Sequence, residues 1–307
     1  MQPSSPDRSA RLAAFAALAL ANLFWAGNWV IGRALREAFD PITLNFWRWL
    51  VAAVVLAPFA LPELVGKHAV IRRHAGLLAL LAVTGVVIFQ SLVYLGLRTT
   101  TAINAVLLNS SAPLFMLLCS WVIERERATR RQVAGMLVSL CGILVIVSHG
   151  EPQRLLQLEF HAGDAWILLA MPAWGIYSVL LKRRPPELGG LGLLFVISVA
   201  GLALLVPAFA LQTLHAPPRW PTPGEAAGVL YVGLAASVGA FICWNRGVAT
   251  VGANAAGFTL HLLPAFGTVL AMVFLGEAFS AFQAAGIATI LVGVVLATRA
   301  ATAASLR

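Results

Sequence analysis

Two stretches decide how this chain folds: PLFMLLCSWVIERERATRRQVAGMLVSLCG, from Pro113 to Gly142, and PAFGTVLAMVFLGEAFSAFQAAGIATILVG, from Pro264 to Gly293. Pro113, Glu126, Thr129, Gln132, Gly135 and Gly142 of the first recur as Pro264, Glu277, Ser280, Gln283, Gly286 and Gly293 of the second. Every pair is 151 positions apart. Six coincidences at one offset, inside apolar tracts, point to duplication of a helix–turn–helix unit. In each copy an apolar helix runs from the Pro to the Glu. A Thr or Ser then opens the next helix with Gln three residues on, the spacing of a capping box. The two Gly, seven apart, share a face on which a neighbouring helix can approach closely.

The surrounding composition says what solvent these helices meet. Of 307 residues, 60% are hydrophobic and only 11% charged, where a soluble chain carries roughly 25%. Such a chain cannot present a polar surface to water all round, so it reads as an all-α protein that crosses a membrane many times. Ten apolar tracts match the hydrocarbon thickness, near 12–32, 41–61, 74–97, 102–123, 131–149, 163–181, 190–212, 224–246, 253–275 and 281–299. The first is too long for a signal-peptide core and reads as a retained span. No alternation of the kind a barrel needs runs through the chain.

The net charge of +9 follows from topology and does not call for a nucleic-acid partner. With the N-terminus inside, fifteen Lys and Arg fall in inside segments and five in outside segments, Arg48 lying within the second span. Both termini are then cytoplasmic. An offset of 151 residues equals five spans, and five is odd, so the second hairpin is expected to be inverted relative to the first. The expected organisation is a tail at 1–11, a first five-helix repeat at 12–149 and an outer linker at 150–162. An inverted second repeat at 163–299 and a tail at 300–307 complete it. Inverted repeats around a central cavity are a transporter architecture.

On the residues Trp25 to Asn28, Arg48, Pro113…Glu126…Gly135…Gly142 and Pro264…Glu277…Gly286…Gly293, the chain resembles the drug/metabolite transporter superfamily. Within it the likeness is to the ten-span branch of two EamA-type domains, and among those to the bacterial exporters of aromatic amino acids and metabolites. The resemblance implies a helical basket around a central cavity in the bacterial inner membrane, with spans five and ten peripheral. It implies export of amino acids or similar small amphipathic metabolites by alternating access. A multidrug or quaternary-cation exporter of the same superfamily is the alternative. A membrane receptor or enzyme, from another class, would need a cluster of reactive residues at one membrane face, and the sequence offers none.

Polar and aromatic residues within spans are the candidates for a substrate cavity, because amides facing lipid would go unsatisfied. They include Trp25 and Asn28, Gln90 and Tyr94, Asn109, Trp174 and Tyr177, Trp244, and His261. Each can equally pack between helices. His261 is the ionisable group inside a span with a near-neutral pKa. It reads either as a proton carrier or substrate contact, or as a neutral ring bonded to a carbonyl that Pro264 sets free. Arg48, flanked by Trp47 and Trp49, reads as an interfacial anchor or an interhelical bond, ahead of a substrate carboxylate holder. Pro113, Glu126, Pro264 and Glu277 read as structural parts of the hairpins. No carboxylate lies near the middle of a span, which disfavours proton–cation exchange. Pro113, Pro172, Pro207 and Pro264 are expected to kink their helices.

There is no phosphate-cradling loop, so no ATPase drive is implied. Cys119, Cys141 and Cys243 lie in apolar tracts without metal-ligand spacing, and no cofactor or metal is called for. Ten spans hold both halves of a pathway, so a monomer suffices.

Overall fold

The computed structural model describes residues 8–100, 102–215, 221–275 and 280–304. Among them the secondary structure is helical throughout, and ten helices are long and apolar enough to cross a membrane. They are α1 (Arg8–Ala34), α2 (Pro41–Leu64), α3 (Ala75–Thr99), α4 (Asn104–Glu124) and α5 (Arg130–Val147), then α6 (Ala162–Arg183), α7 (Gly190–Leu214), α8 (Pro223–Val251), α9 (Ala253–Leu270) and α10 (Ala281–Thr298). Large apolar side chains stand on the outside, among them Val54, Phe59, Val122 and Val292, each at least 60% exposed. Water would oppose such a surface and lipid would not, so this is a multi-pass membrane protein.

Local chemistry starts and stops these helices. Asp40 caps α2 by accepting from Ile42 N, and Pro41 occupies the first turn, where its missing N–H costs nothing. Thr129 and Gln132 form the expected capping box on α5, with Thr129 N donating to Gln132 Oε1 at 2.8 Å. Ser280 N donates to Gln283 Oε1 at the same 2.8 Å. Arg125 takes a left-handed conformation, φ 60°, to close the end of α4. Glu277 lies outside the described residues.

Two irregularities recur in both halves. A widened, π-helical turn interrupts α3 at Ala82–Ile88 and α8 at Leu234–Gly239. Helix α4 breaks at Ser110–Ser111 before Pro113, and α9 tightens to a 3-10 turn at Thr259–His261 before Pro264. Pro113 therefore starts a helical segment where a kink was expected, whereas Pro172 and Pro207 lie inside continuous helices.

Helices α6 and α9 are the most enclosed, 67% and 61% of their spanning windows being buried, while α5 and α10 are the least, at 33% each. The peripheral pair α5 and α10 packs antiparallel through its glycines. A Cβ on Gly135 would lie 2.6 Å from Gly293 O, and one on Gly142 would lie 2.7 Å from Gly286 O. Backbone meets backbone at these points, so no side chain has room and dispersion contact is maximal.

A Cβ on Gly293 would collide with the backbone N of Ser139 and lie 2.6 Å from Gly135 O, with no flexible side chain able to yield. Gly293→Val is therefore expected to force α5 and α10 apart and cost about 1–3 kcal/mol or more. Gly76→Ala, with open space around it, should be neutral. Thermal unfolding of both variants in detergent checks this, and an unchanged melting temperature for Gly293→Val would contradict the contact.

Candidate functional site

The centre of the bundle is built from aromatic rings donated by four helices. Trp25 of α1 and Trp174 of α6 meet edge to face with centroids 5.1 Å apart. Trp244 of α8 lies 5.3 Å from both, and Phe89 of α3 sits 4.8 Å from Trp174. Phe241 and Tyr177 complete the cluster, each 5.7 Å from its neighbour in it. Every centroid spacing is in the favourable range for aromatic pairs, and none of Trp25, Trp174, Tyr177 and Trp244 is more than 6% exposed. All four were expected as cavity wall. They pack into a plug that fills the middle, with Trp25 and Trp174 also facing the small cavity described next.

Space opens beyond this plug, toward the end of the bundle opposite the N-terminal end of α1, called here the far end. A small cavity of about 20 Å³ is lined by Trp25, Asn28, Gln90, Asn109 and Trp174 together with Trp29, Phe89 and three aliphatic residues. That is room for one water. It adjoins a cleft of about 450 Å³ between α1, α4, α5, α9 and α10, with Trp29, Asn109 and Leu263 common to both. The cleft is mostly apolar, its polar groups being Arg33, Asn109, His149, Thr268 and Gln283. Its size suits a small organic molecule.

Behind the small cavity lies a polar knot around Arg48, which is fully buried. Its Nη1 donates to Gln90 Oε1 at 2.7 Å and to the Tyr94 hydroxyl at 2.8 Å. Its Nε donates to Ser237 Oγ at 2.8 Å and its Nη2 to the Ala236 carbonyl at 3.2 Å. Of the two readings expected for Arg48, interfacial anchor and interhelical bond, the structure has the interhelical bond and not the anchor. The guanidinium ties α2 to α3 and to the widened turn of α8, about 10 Å along α2 from its start. The adjacent Trp47 does face outward, at 37% exposure, while Trp49 is sealed in the core.

The same carbonyl of Ala236 also accepts from Trp25 Nε1 at 3.0 Å, and Val86, in the widened turn of α3, accepts from Asn45 Nδ2 at 2.9 Å. Widened turns commonly mark functional places in helices, and here both abut the plug. The Tyr94 hydroxyl donates to Asn28 Oδ1 at 2.9 Å. In the other half the pairing returns with the residue types exchanged, Tyr177 donating to Asn245 Oδ1 at 2.8 Å.

His261 is fully buried but is not among the cavity-lining residues. Its Nε2 donates to the Ser110 carbonyl at 3.0 Å, and Nδ1 faces the Ser139 hydroxyl. The Ser110 carbonyl is open because Pro113 has no N–H and Leu114 N donates instead to Ser111 O at 2.9 Å. The ring thus joins α9 to α4 and α5.

At the near end the plug is backed by polar links between the helix ends. Glu126 accepts from Ser120 Oγ at 3.0 Å, from Lys182 at 2.8 Å and from Asn254 at 3.3 Å. Arg183 pairs with Glu124 at 2.7 Å. At the far end Asp164 is buried and accepts from Asn104, from Thr100 and from His161 N. Its Gln-like N3 position after His161 was the available signal.

Of the nine expected cavity residues, Trp25, Asn28, Gln90, Asn109 and Trp174 line the small cavity. Tyr94, Tyr177 and Trp244 form the layer behind, and His261 lies to one side. No cluster of three or more metal-ligating side chains occurs among the described residues.

A bundle of ten spans with a solute-sized cleft beside its centre is the build of a membrane carrier. The chain belongs to the EamA-like transporter family, whose model matches it twice, at residues 12–148 and 161–299. It is 28% identical to an uncharacterized transporter of Archaeoglobus fulgidus, over 92% of this chain and 96% of that one. It is 30% identical to a probable terminal-alkyne amino-acid exporter of Streptantibioticus cattleyicolor, over 92% of each. It is also 25% identical to the uncharacterized transporter YetK of Bacillus subtilis, over 92% of this chain and 86% of that one. A solved crystal structure superposes with a TM-score of 0.72 at 22% identity, covering 95% of this chain and 98% of that one.

Access from one end only is testable by thiol labelling in a chain whose three native cysteines are replaced by Ser. A Cys at Thr268, in the cleft, should react with a membrane-impermeant maleimide applied from the far side. A Cys at Ser178, buried behind the plug against Trp244, should resist the reagent from both sides. Equal labelling of Ser178→Cys from the near side would mean that the plug does not seal.

Proposed function

We propose that this protein exports amino acids or similar small amphipathic metabolites across a bacterial inner membrane by alternating access. In this reading both termini are cytoplasmic, the near end faces the cytoplasm, and the conformation described is open toward the outside. The two family-matching halves act as inverted repeats that exchange roles about the midplane, and one chain holds the whole pathway. The reciprocal glycine contacts support this, Gly135 against Gly293 and Gly142 against Gly286, because each contact maps onto the other at the 151-residue offset.

The single observation that carries the reading is the small cavity where it adjoins the cleft of about 450 Å³. Its lining combines the carboxamides of Asn28, Gln90 and Asn109 with the rings of Trp25, Trp29 and Trp174. Hydrogen-bonding groups at one point against an apolar wall are what an amphipathic solute needs. The relative named as an amino-acid exporter, at 30% identity, supports the same class. A quaternary-cation exporter is disfavoured, because the buried charge next to the cavity is the positive one of Arg48 and no carboxylate among the described residues lines the cavity or the cleft.

Purified protein in liposomes should accelerate movement of labelled amino acids, and a broad panel showing no transport above empty liposomes would end this reading. Repeating the panel with an imposed pH gradient addresses coupling. His261 sits between Ser110 and Ser139 away from the cavity wall, so His261→Gln is expected to lower stability while leaving the response to the gradient unchanged. Loss of a gradient response in that variant would assign His261 a proton.

A further inference from the structure

We infer that Arg48 makes the inner end of the cavity a carboxylate subsite, acting through Gln90 and Asn28 and not by direct contact. This rests on the export reading above and names the part of the solute the site holds. The argument begins with the inventory of donors. A guanidinium can only donate, so the Gln90 amide facing Arg48 must offer Oε1, and its NH₂ is turned away. The Tyr94 hydroxyl accepts from Arg48, so its one proton goes on to Asn28 Oδ1. The Asn28 NH₂ is therefore also turned away. The orientation of an amide is ordinarily ambiguous, but here the arginine decides both.

Both side chains line the cavity, Asn28 at 4% and Gln90 at 2% exposure. Neither amide nitrogen donates a hydrogen bond to any of the described residues, although both side chains are over nine-tenths buried. Two NH₂ groups on cavity-lining side chains, without an acceptor among the described residues, together with the buried and unpartnered Nε1 of Trp174 in the same lining, call for an acceptor that arrives with the solute.

The charge points the same way. Arg48 is in none of the ion pairs among the described residues, and its four hydrogen-bond acceptors are all neutral. A positive charge so deep in a membrane protein, without an ion-pair partner among the described residues, is costly. Its field and its polarising effect along both relays fall on the cavity, where they favour an anionic group and repel a cation. A carboxylate has acceptor sites enough to take both amides at once. The apolar part of the solute would lie outward against Trp29 and Leu263.

The test compares amino acids with their primary amides, which keep the side chain and the amine but lose the anion. Full-length protein in liposomes should move the transported amino acids at least roughly tenfold faster than the matched amides at equal low concentration, given the strength of hydrogen bonds to charged groups. Gln90→Met and Tyr94→Phe should each reduce that ratio toward one, the second without touching the solute, by releasing Asn28 to turn over. Arg48→Lys keeps the charge but not the two-way fork, and should lower the ratio as well. If amino acids and amides move equally well through the wild type, the subsite is refuted while the export reading stands. If the wild type discriminates and Gln90→Met and Tyr94→Phe discriminate just as strongly, the subsite is again refuted. If no amino acid moves at all, the export reading and the subsite fall together.

Discussion

Inside a bilayer a backbone carbonyl that leaves its helix has no water to turn to. The helices of this protein are irregular at four places near the midplane, and what satisfies the exposed carbonyls sets how the helices meet. Ala236, in the widened turn of α8, takes Trp25 from α1 and Arg48 from α2. Val86, in the widened turn of α3, takes Asn45 from α2. Ser110, at the break in α4, takes His261 from α9. Each bond crosses between helices, so loss of one leaves a buried acceptor unpaired, at about 1–3 kcal/mol. The aromatic plug then packs within the frame these bonds define.

Strong and weak contacts are distributed unevenly between the core and the near end. At the core, charge-assisted and buried hydrogen bonds operate in a dry surrounding, where they are strongest. At the near end Glu126 with Lys182 and Glu124 with Arg183 are partly exposed pairs, each worth only about 0.2–1 kcal/mol. Such pairs can be broken at small cost, whereas α5 and α10 at the periphery form a seam in which glycine backbones meet directly.

The paired hairpins and their caps were readable in one dimension, because a capping box and a glycine face depend on residues three and seven apart. The amides at Asn28, Gln90 and Asn109 could be selected for a similar reason, since a carboxamide inside a span must find a partner. For Arg48 the sequence left an interfacial anchor and an interhelical bond open, because its flanking tryptophans suggested an interface while neighbours on a helix point about 100° apart. Trp47 meets lipid, Trp49 the core, and Arg48 a polar knot whose other members come from α3 and α8. Tyr94, Tyr177 and Trp244 sit behind the cavity wall for a related reason. Periodicity places them on inward faces, and depth within the bundle depends on which ring arrives from the opposite helix.

Hydropathy, span count and the 151-residue repeat follow from the chain alone, because they rest on local chemistry and on the requirement that lipid-facing surface be apolar. The division of labour at the centre does not. The amide of Gln90 is oriented by Arg48, 42 residues away in sequence, and that of Asn28 by Tyr94, 66 residues away, through one hydrogen-bond network. Direction in such a network passes from a donor that cannot accept to the groups beyond it, and that is a property of three-dimensional contact.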